Sequence, residues 1–289
     1  MILSHEHLQQ ILAWSKEELF NYGPALALLA VLAVFSKKIN RAVGRRHLEP
    51  TTSRPNIPLP ALWTILLLPA GFWLLSLWAT RSFPALFLDV TQEDGWMENG
   101  QMILLGLGSV TGMMVSRVLW KKHQRFWACA YFLLALALFW VAGEEVSWGQ
   151  RFFHLPTPAW LASHNTQQEL NLHNLNGVDG EMNSLADRVL SYAVFFCTAL
   201  WLTGLHRVRR LKTALWLPHP SLIPALCCAI SYGEVLRLNE LLHSGAEGIP
   251  EAVVQLQEPR ESILYFSLFA FLSIVLYTLR KDKRHSFTG

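Results

Sequence analysis

Charge is what this chain has least of. Asp, Glu, Lys and Arg make up only 16% of its 289 residues, where soluble domains carry about 25%. With 52% hydrophobic residues and a mean hydropathy of +0.27, that scarcity excludes an ordinary soluble fold. Cysteine says little. Cys129, Cys197, Cys227 and Cys228 all fall inside apolar stretches, so no exposed disulfide framework is expected and the redox compartment is not indicated. A basic leader is also missing. The first apolar block follows Glu17 and Glu18 and precedes no small-residue cleavage pattern, so no cleavable signal peptide is expected. There is no phosphate loop, no Gly-x-Ser-x-Gly elbow, no His-Glu-x-x-His and no Cys-x-x-Cys. Ser147, the one serine beside an acidic cluster, has no evident base to activate it.

What is present is apolar sequence in blocks. Seven are long enough to span a bilayer, at 20–36, 61–80, 97–118, 126–143, 189–205, 221–238 and 262–279. Pro218, Pro220 and Pro224 make the entry to the sixth short or kinked. The fold class that follows is an all-α integral membrane protein, a bundle of about seven transmembrane helices. Three quarters of the 24 Lys and Arg crowd alternate loops, Lys37–Arg54, Arg117–Arg125, Arg207–Lys212 and Arg280–Arg284, whereas only Glu49 and Asp282 of the 21 acids lie on that side. By the positive-inside rule those loops are cytoplasmic, the N-terminus is outside and the C-terminus inside. The formal net charge of +3 therefore hides a dipole across the membrane and does not point to nucleic acid; the basic loops are read as topology and contact with anionic lipid. Most of the 12 Trp residues fall near expected boundaries, as interfacial belts do.

The chain reads as a single polytopic domain over 1–289. Residues 1–19 have the apolar pattern of an interfacial helix. Residues 37–60 are a basic, proline-punctuated inner loop. Residues 144–187 form the longest outer segment, with turn signals at Pro156, Pro158 and Gly177 and one or two short helices carrying polar residues. A second outer segment covers Asn239–Glu261.

The most informative junction is where the uncharged run Phe126–Gly143 meets Glu144-Glu145-Val146-Ser147-Trp148-Gly149-Gln150-Arg151. Acids are disfavoured at a helix C-terminus, so Arg151, a cation or a shared proton should offset them. If the helix continues, Glu144, Ser147 and Arg151 share a face; the bland alternative is a Glu144–Arg151 ion pair anchored by Trp148. At the outer start of the third span, Asp94, Glu98 and Gln101 form a stripe at i, i+4 and i+7; helix capping by Thr91 or Asp94 is the alternative. In the outer segment Asn165, Glu169 and His173 fall at helical spacing, amid Gln167, Gln168, Asn171 and Asn174. A Glu and a His four apart can share a metal or pass a proton, whereas Thr166-x-x-Glu169 can equally be a capping box. Glu240-x-x-His243 has a carboxylate-bridged metal spacing but occurs only once. Glu234–Arg237 reads as an ion pair, and Glu258-Pro259-Arg260-Glu261 as the capped start of the last span.

On three of these segments the chain resembles a family of bacterial multipass membrane proteins marked by EDG-x-x-E, GEE-x-S-W-G-Q-R and N-x-Q-x-E-x-N-L-H-N. They stand here as Glu93–Glu98, Gly143–Arg151 and Asn165–Asn174. The resemblance covers the middle third of the chain, implies the bacterial inner membrane, and brings no activity. Asp94–Asn99 is more loosely similar to the acidic segment of the seven-span alkaline ceramidases, related in topology to the adiponectin-receptor hydrolases. Those enzymes take zinc histidines from the last span, and 262–279 contains no histidine.

The expectation is an intramembrane, metal-assisted hydrolase or transferase acting on a membrane lipid or lipid-linked substrate at the outer face. Glu144, Glu145, Glu169 and His173 would supply acid–base chemistry. Asp94, Glu98, Glu145 and His173 would hold a divalent metal ion, whose carboxylate-rich set suits a hard or borderline metal. Trp148, Gln150, Arg151, Asn165 and Asn171 would contact substrate, with Arg151 on an anionic head group. The alternatives are a scaffold or assembly factor for envelope polysaccharide machinery, with the acids as structural ion pairs, and a cation- or proton-coupled carrier.

Overall fold

The computed structural model describes residues 59–92, 95–165, 168–172, 175, 222–242 and 251–285. The expected spans at 20–36 and 189–205, the N-terminal interfacial helix and most of the basic inner loop lie outside the described residues. So do Asp94, His173, Asn174 and His243, together with the side chains of Arg151, Glu234, Arg237 and Glu240.

The described chain is helical. Its elements are α1 Leu59–Ser82, α2 Pro84–Thr91, α3 Trp96–Lys121, α4 Arg125–Glu145, α5 Gln150–Phe153, α6 Ala159–Ala162, α7 Ile223–Leu242, α8 Glu251–Val254 and α9 Gln257–His285. Among the described residues there is no strand, only one isolated bridge between Asn165 and Leu175. Four stretches are long and apolar enough to cross a membrane: Trp63–Ser82 in α1, Trp96–Lys121 in α3, Arg125–Glu145 in α4, and Ala252–Arg280, which runs from α8 into α9. The sixth expected block is helical as α7 but is not among these four; its second half carries Glu234, Arg237 and Glu240. The last helix starts five residues before its apolar block, because Pro259 sits in the first turn, where a missing N–H costs no helical bond. That extension puts Glu258 and Glu261 on the helix itself.

Helices α3 and α4 form an antiparallel hairpin closed by His123, whose φ is 60°. Their contact face is built from small residues. A Cβ added at Gly112 would stand 3.1 Å from Ala135 Cβ, and one at Gly108 would stand 3.2 Å from Leu138 Cδ1. The sequence is thus a Gly108-x-x-x-Gly112 packing motif, which lets two backbones approach closely in lipid, where burying apolar surface gains little. Two hydroxyls exploit the approach: Ser109 donates to the Ala135 carbonyl at 2.8 Å and Ser116 to the Ala128 carbonyl at 2.7 Å. The donors and the acceptors are each seven residues apart, so one helical face meets another over two turns.

Helix α9 packs against α3 on one side and against α7 and α1 on the other. It therefore divides two cores. One joins Leu105, Val115, Leu119, Tyr131 and Leu138 to Leu272 and Leu276. The other joins Trp73, Phe87, Ala229, Tyr232 and Ile263. Outward-facing Leu, Phe and Trp side chains are well exposed, Leu74 at 65% and Leu133 at 64%. So much contiguous apolar surface suits lipid or further helices, not water.

Candidate functional site

The two adjacent acids at the end of α4 face different neighbours, because consecutive helical residues point about 100° apart. Glu144 is buried and turns toward the outer segment. It accepts from the Trp148 indole Nε1 at 2.8 Å and from the Leu172 backbone amide at 2.6 Å. Glu145 turns toward α9 and accepts from the Tyr265 hydroxyl at 2.7 Å. Each belongs to a distinct polar centre.

The first centre locks the outer segment to the end of α4. The helix does not continue past Glu145. Ser147, Trp148 and Gly149 take left-handed φ values of 46°, 55° and 75°, a conformation costing non-glycine residues about 1–2 kcal/mol each. Side-chain bonds hold the turn. Ser147 donates to Glu169 Oε2. The Asn171 amide donates to Ser147 at 3.1 Å and to Glu169 at 3.0 Å. Asn165 donates to the backbone and side-chain oxygens of Asn171, both at 2.8 Å. Gln150 accepts from the Leu170 amide and donates to Thr157, each at 2.6 Å. Trp148 lies across Gly143, where a Cβ would meet its ring at 2.8 Å; its edge contacts Trp140 at 4.8 Å between centroids. The second and third sequence motifs are thus two halves of one folded unit. Residues 165 and 168–172 are not helical, so Asn165 and Glu169 do not meet along a helix face. Glu169 donates its own backbone N–H to Asn165 Oδ1 at 3.3 Å.

The second centre lies between α3, α4 and α9. Gln101, fully buried on α3, donates through Nε2 to the Glu258 carbonyl at 2.9 Å, to Glu258 Oε2 at 3.0 Å and to Ser262 at 3.2 Å. Gln257 donates to Glu261 at 3.0 Å. Glu98 and Glu261 stand within electrostatic reach of both Glu145 and Glu258, which also act on each other. Four carboxylates from three helices, a tyrosine hydroxyl and a buried amide therefore share one region. Carboxylates gathered in a poorly polarisable setting repel one another, and Arg260, buried on α9 between Glu258 and Glu261 in sequence, is a permanent positive charge beside them on that helix. The oxygen of Gln101, Oε1, is buried without a hydrogen-bond partner. A buried unpaired acceptor costs about 1–3 kcal/mol, which marks the position as built for something other than packing.

An apolar groove of about 550 Å³ opens beside this cluster, lined by Leu68, Phe72, Leu104, Ile263 and Phe266, with Ser262 among its walls. Ser262 joins groove and cluster, since it also accepts from Gln101. At the first motif, Gly95 is a close-approach position: a Cβ there would meet the carbonyl oxygens of Gln92 and Val90 at 2.5 and 2.6 Å. Thr91 does not cap α3. Its hydroxyl bonds back to the Phe87 carbonyl at 2.8 Å.

The structure thus gathers Glu144, Trp148, Gln150, Asn165, Glu169 and Asn171 in the outer lock, and Glu98 and Glu145 in the inner cluster. Asp94, His173 and the Arg151 side chain lie outside the described residues. Among the described residues, no group of three or more His, Cys, Asp or Glu could hold a metal ion. Sequence reasoning passed over Glu258, Glu261 and Tyr265 as capping or span residues. The signal was present: Glu258, Glu261, Ser262 and Tyr265 recur at i, i+3, i+4 and i+7, one polar face on an otherwise apolar helix.

The described elements define a helical protein whose membrane-capable helices carry a carboxylate-rich centre near one end. Compared with known proteins, the chain matches no family model, no curated protein and no solved structure.

Proposed function

We propose that this protein is an intramembrane hydrolase or transferase acting on a lipid or lipid-linked substrate at the outer face of a bacterial inner membrane. One observation carries the reading: Ser262, a wall of the apolar groove, accepts from Gln101, the same amide that holds the Glu258 carboxylate. A hydrocarbon chain suits the groove, and a polar head group beside it would reach the carboxyl groups. A buried carboxyl group that can take and give back a proton suits general acid–base work. Glu145, oriented by Tyr265, takes a proton from the attacking water or alcohol. The same carboxyl group then returns that proton to the leaving oxygen, while Glu258 is held by Gln101. The acids sit at one end of the helices, and the opposite ends of α3 and α4 carry Lys121 and Arg125. That one-sidedness favours a reaction site over a carrier, which needs polar groups across the membrane. The family resemblance supports the bacterial inner membrane, and the positive-inside pattern supports the outer face.

Lipid profiling of host membranes tests the reading. Expression of the wild type should change at least one lipid or lipid-linked species, and Glu145→Gln, accumulating in the membrane to the same level, should not. Identical profiles for wild type and variant would favour the second reading, a scaffold or assembly factor for envelope polysaccharide machinery. The observation on its side is the outer lock, where Ser147, Glu169 and Asn171 bond one another and Glu144 holds the Leu172 amide, presenting a rigid platform.

A further inference from the structure

We propose that the cluster between α3, α4 and α9 binds one hydrated hard divalent cation of the magnesium class, with the Gln101 side-chain oxygen as a ligand and Glu145 and Glu258 as its carboxylate partners. Two independent observations support this. First, the carboxyl groups of Glu98, Glu145, Glu258 and Glu261 converge electrostatically from three helices. Second, the fully buried Gln101 leaves Oε1 without a partner while its Nε2 is held by Glu258 and Ser262. The amide cannot usefully be reversed, because Nε2 already meets a backbone carbonyl, which only accepts. The oxygen is therefore kept at the cluster, available to a cation or a donor.

The donor set names the class of ion. Every available atom is oxygen, with no thiol or imidazole among the described groups, and oxygen-only sites favour Mg²⁺, Mn²⁺ or Ca²⁺ over zinc or copper. The proposed set is small, one amide oxygen and two carboxylates. That fits Mg²⁺, which keeps several waters and takes one or two carboxylates, better than Ca²⁺, which demands six to eight protein and water oxygens.

This deepens the reading of the cluster as the reactive centre, and its test does not depend on any activity. Purified protein in detergent is titrated with Mn²⁺ and followed by electron paramagnetic resonance, with Mg²⁺, Ca²⁺ and Zn²⁺ as competitors. The expected result is about one saturable Mn²⁺ per chain, displaced by Mg²⁺ more readily than by Ca²⁺. Gln101→Met, which removes the oxygen, should weaken binding at least tenfold, as should Glu258→Gln. Gln101→Glu keeps an oxygen at the position but loses the amide donor, so it should retain binding. Asp89→Asn, on the exposed end of α2, controls for surface acids and should bind as the wild type does. Absence of saturable Mn²⁺ in the folded wild type would overturn the proposal, and so would equal loss in Gln101→Glu and Gln101→Met. Metal binding without any lipid change would keep the ion site and discard the enzymatic reading.

Discussion

At the scale of single residues, the glycines and acids of the motifs separate by what their side chains would touch. Gly143 has the Trp148 ring where a Cβ would go. Gly143→Ala should displace the indole from Glu144 and destabilise the protein by about 1–3 kcal/mol, the usual cost of overpacking. Gly106→Ala meets nothing within 4 Å and should be neutral or stabilise by about 0.5–1 kcal/mol, as expected at a helix interior. Thermal unfolding in detergent should place the two variants on opposite sides of the wild type. Glu144 and Glu145 should differ as sharply. Glu144→Ala leaves the Trp148 N–H and the Leu172 amide without this acceptor, at about 1–3 kcal/mol each, and limited proteolysis should then cut within 154–172. Glu145→Gln leaves that lock untouched and should give the wild-type digestion pattern. If both variants digest alike, the division of the two acids between separate centres is wrong.

At the scale of elements, the α3–α4 hairpin depends on closeness. Its interface pairs Gly108 and Gly112 with Leu138 and Ala135, and two serine hydroxyls reach carbonyls of the facing helix. Gly112→Leu should force the helices apart and destabilise by about 1–3 kcal/mol or more. Ser109→Ala should cost about 0.6 kcal/mol, the average for an interhelical hydrogen bond in a membrane. Parity between the two variants in thermal stability would mean that hydrogen bonding, not close packing, dominates this contact. The same hairpin matters for the acid cluster, because it sets where Glu98, Gln101 and Glu145 stand relative to α9. A loosened hairpin should therefore weaken Mn²⁺ binding as well.

At the scale of the whole molecule, orientation decides which compartment meets the cluster. The basic residues around Lys121 and Arg207 should be cytoplasmic, so reporter fusions at those two positions should score inside. A periplasmic signal at either would move the cluster and the lock to the opposite membrane face. Three quarters of the Lys and Arg lie on one side of the expected topology, and because hydrocarbon cannot solvate charge, composition alone carries that much. Hydrophobic runs likewise revealed the four membrane-capable helices to within a few residues at most ends. The last was the exception: its stretch begins at Ala252, ahead of Glu258 and Glu261, which the sequence reads as a helix cap.

Helices, their apolar character and the presence of acids near one end were legible in the chain, because a bilayer requires each spanning segment to satisfy its own backbone and to be apolar over its own length. These are local demands, and local sequence answers them. The partners of those acids were not legible. Glu144 and Glu145 are neighbours in sequence, yet the rotation of α4 sends one to the Leu172 amide and the other to Tyr265, 120 residues away along the chain. Asn165 and Glu169 have helical spacing but meet through the Glu169 backbone N–H and the Asn165 side chain, because left-handed backbone at Ser147–Gly149 ends α4 and side-chain bonds hold the outer segment. Which polar groups meet depends on helix rotation and approach distance, and those are set by close packing across helices such as Gly112 against Ala135. Only the tertiary structure contains that information.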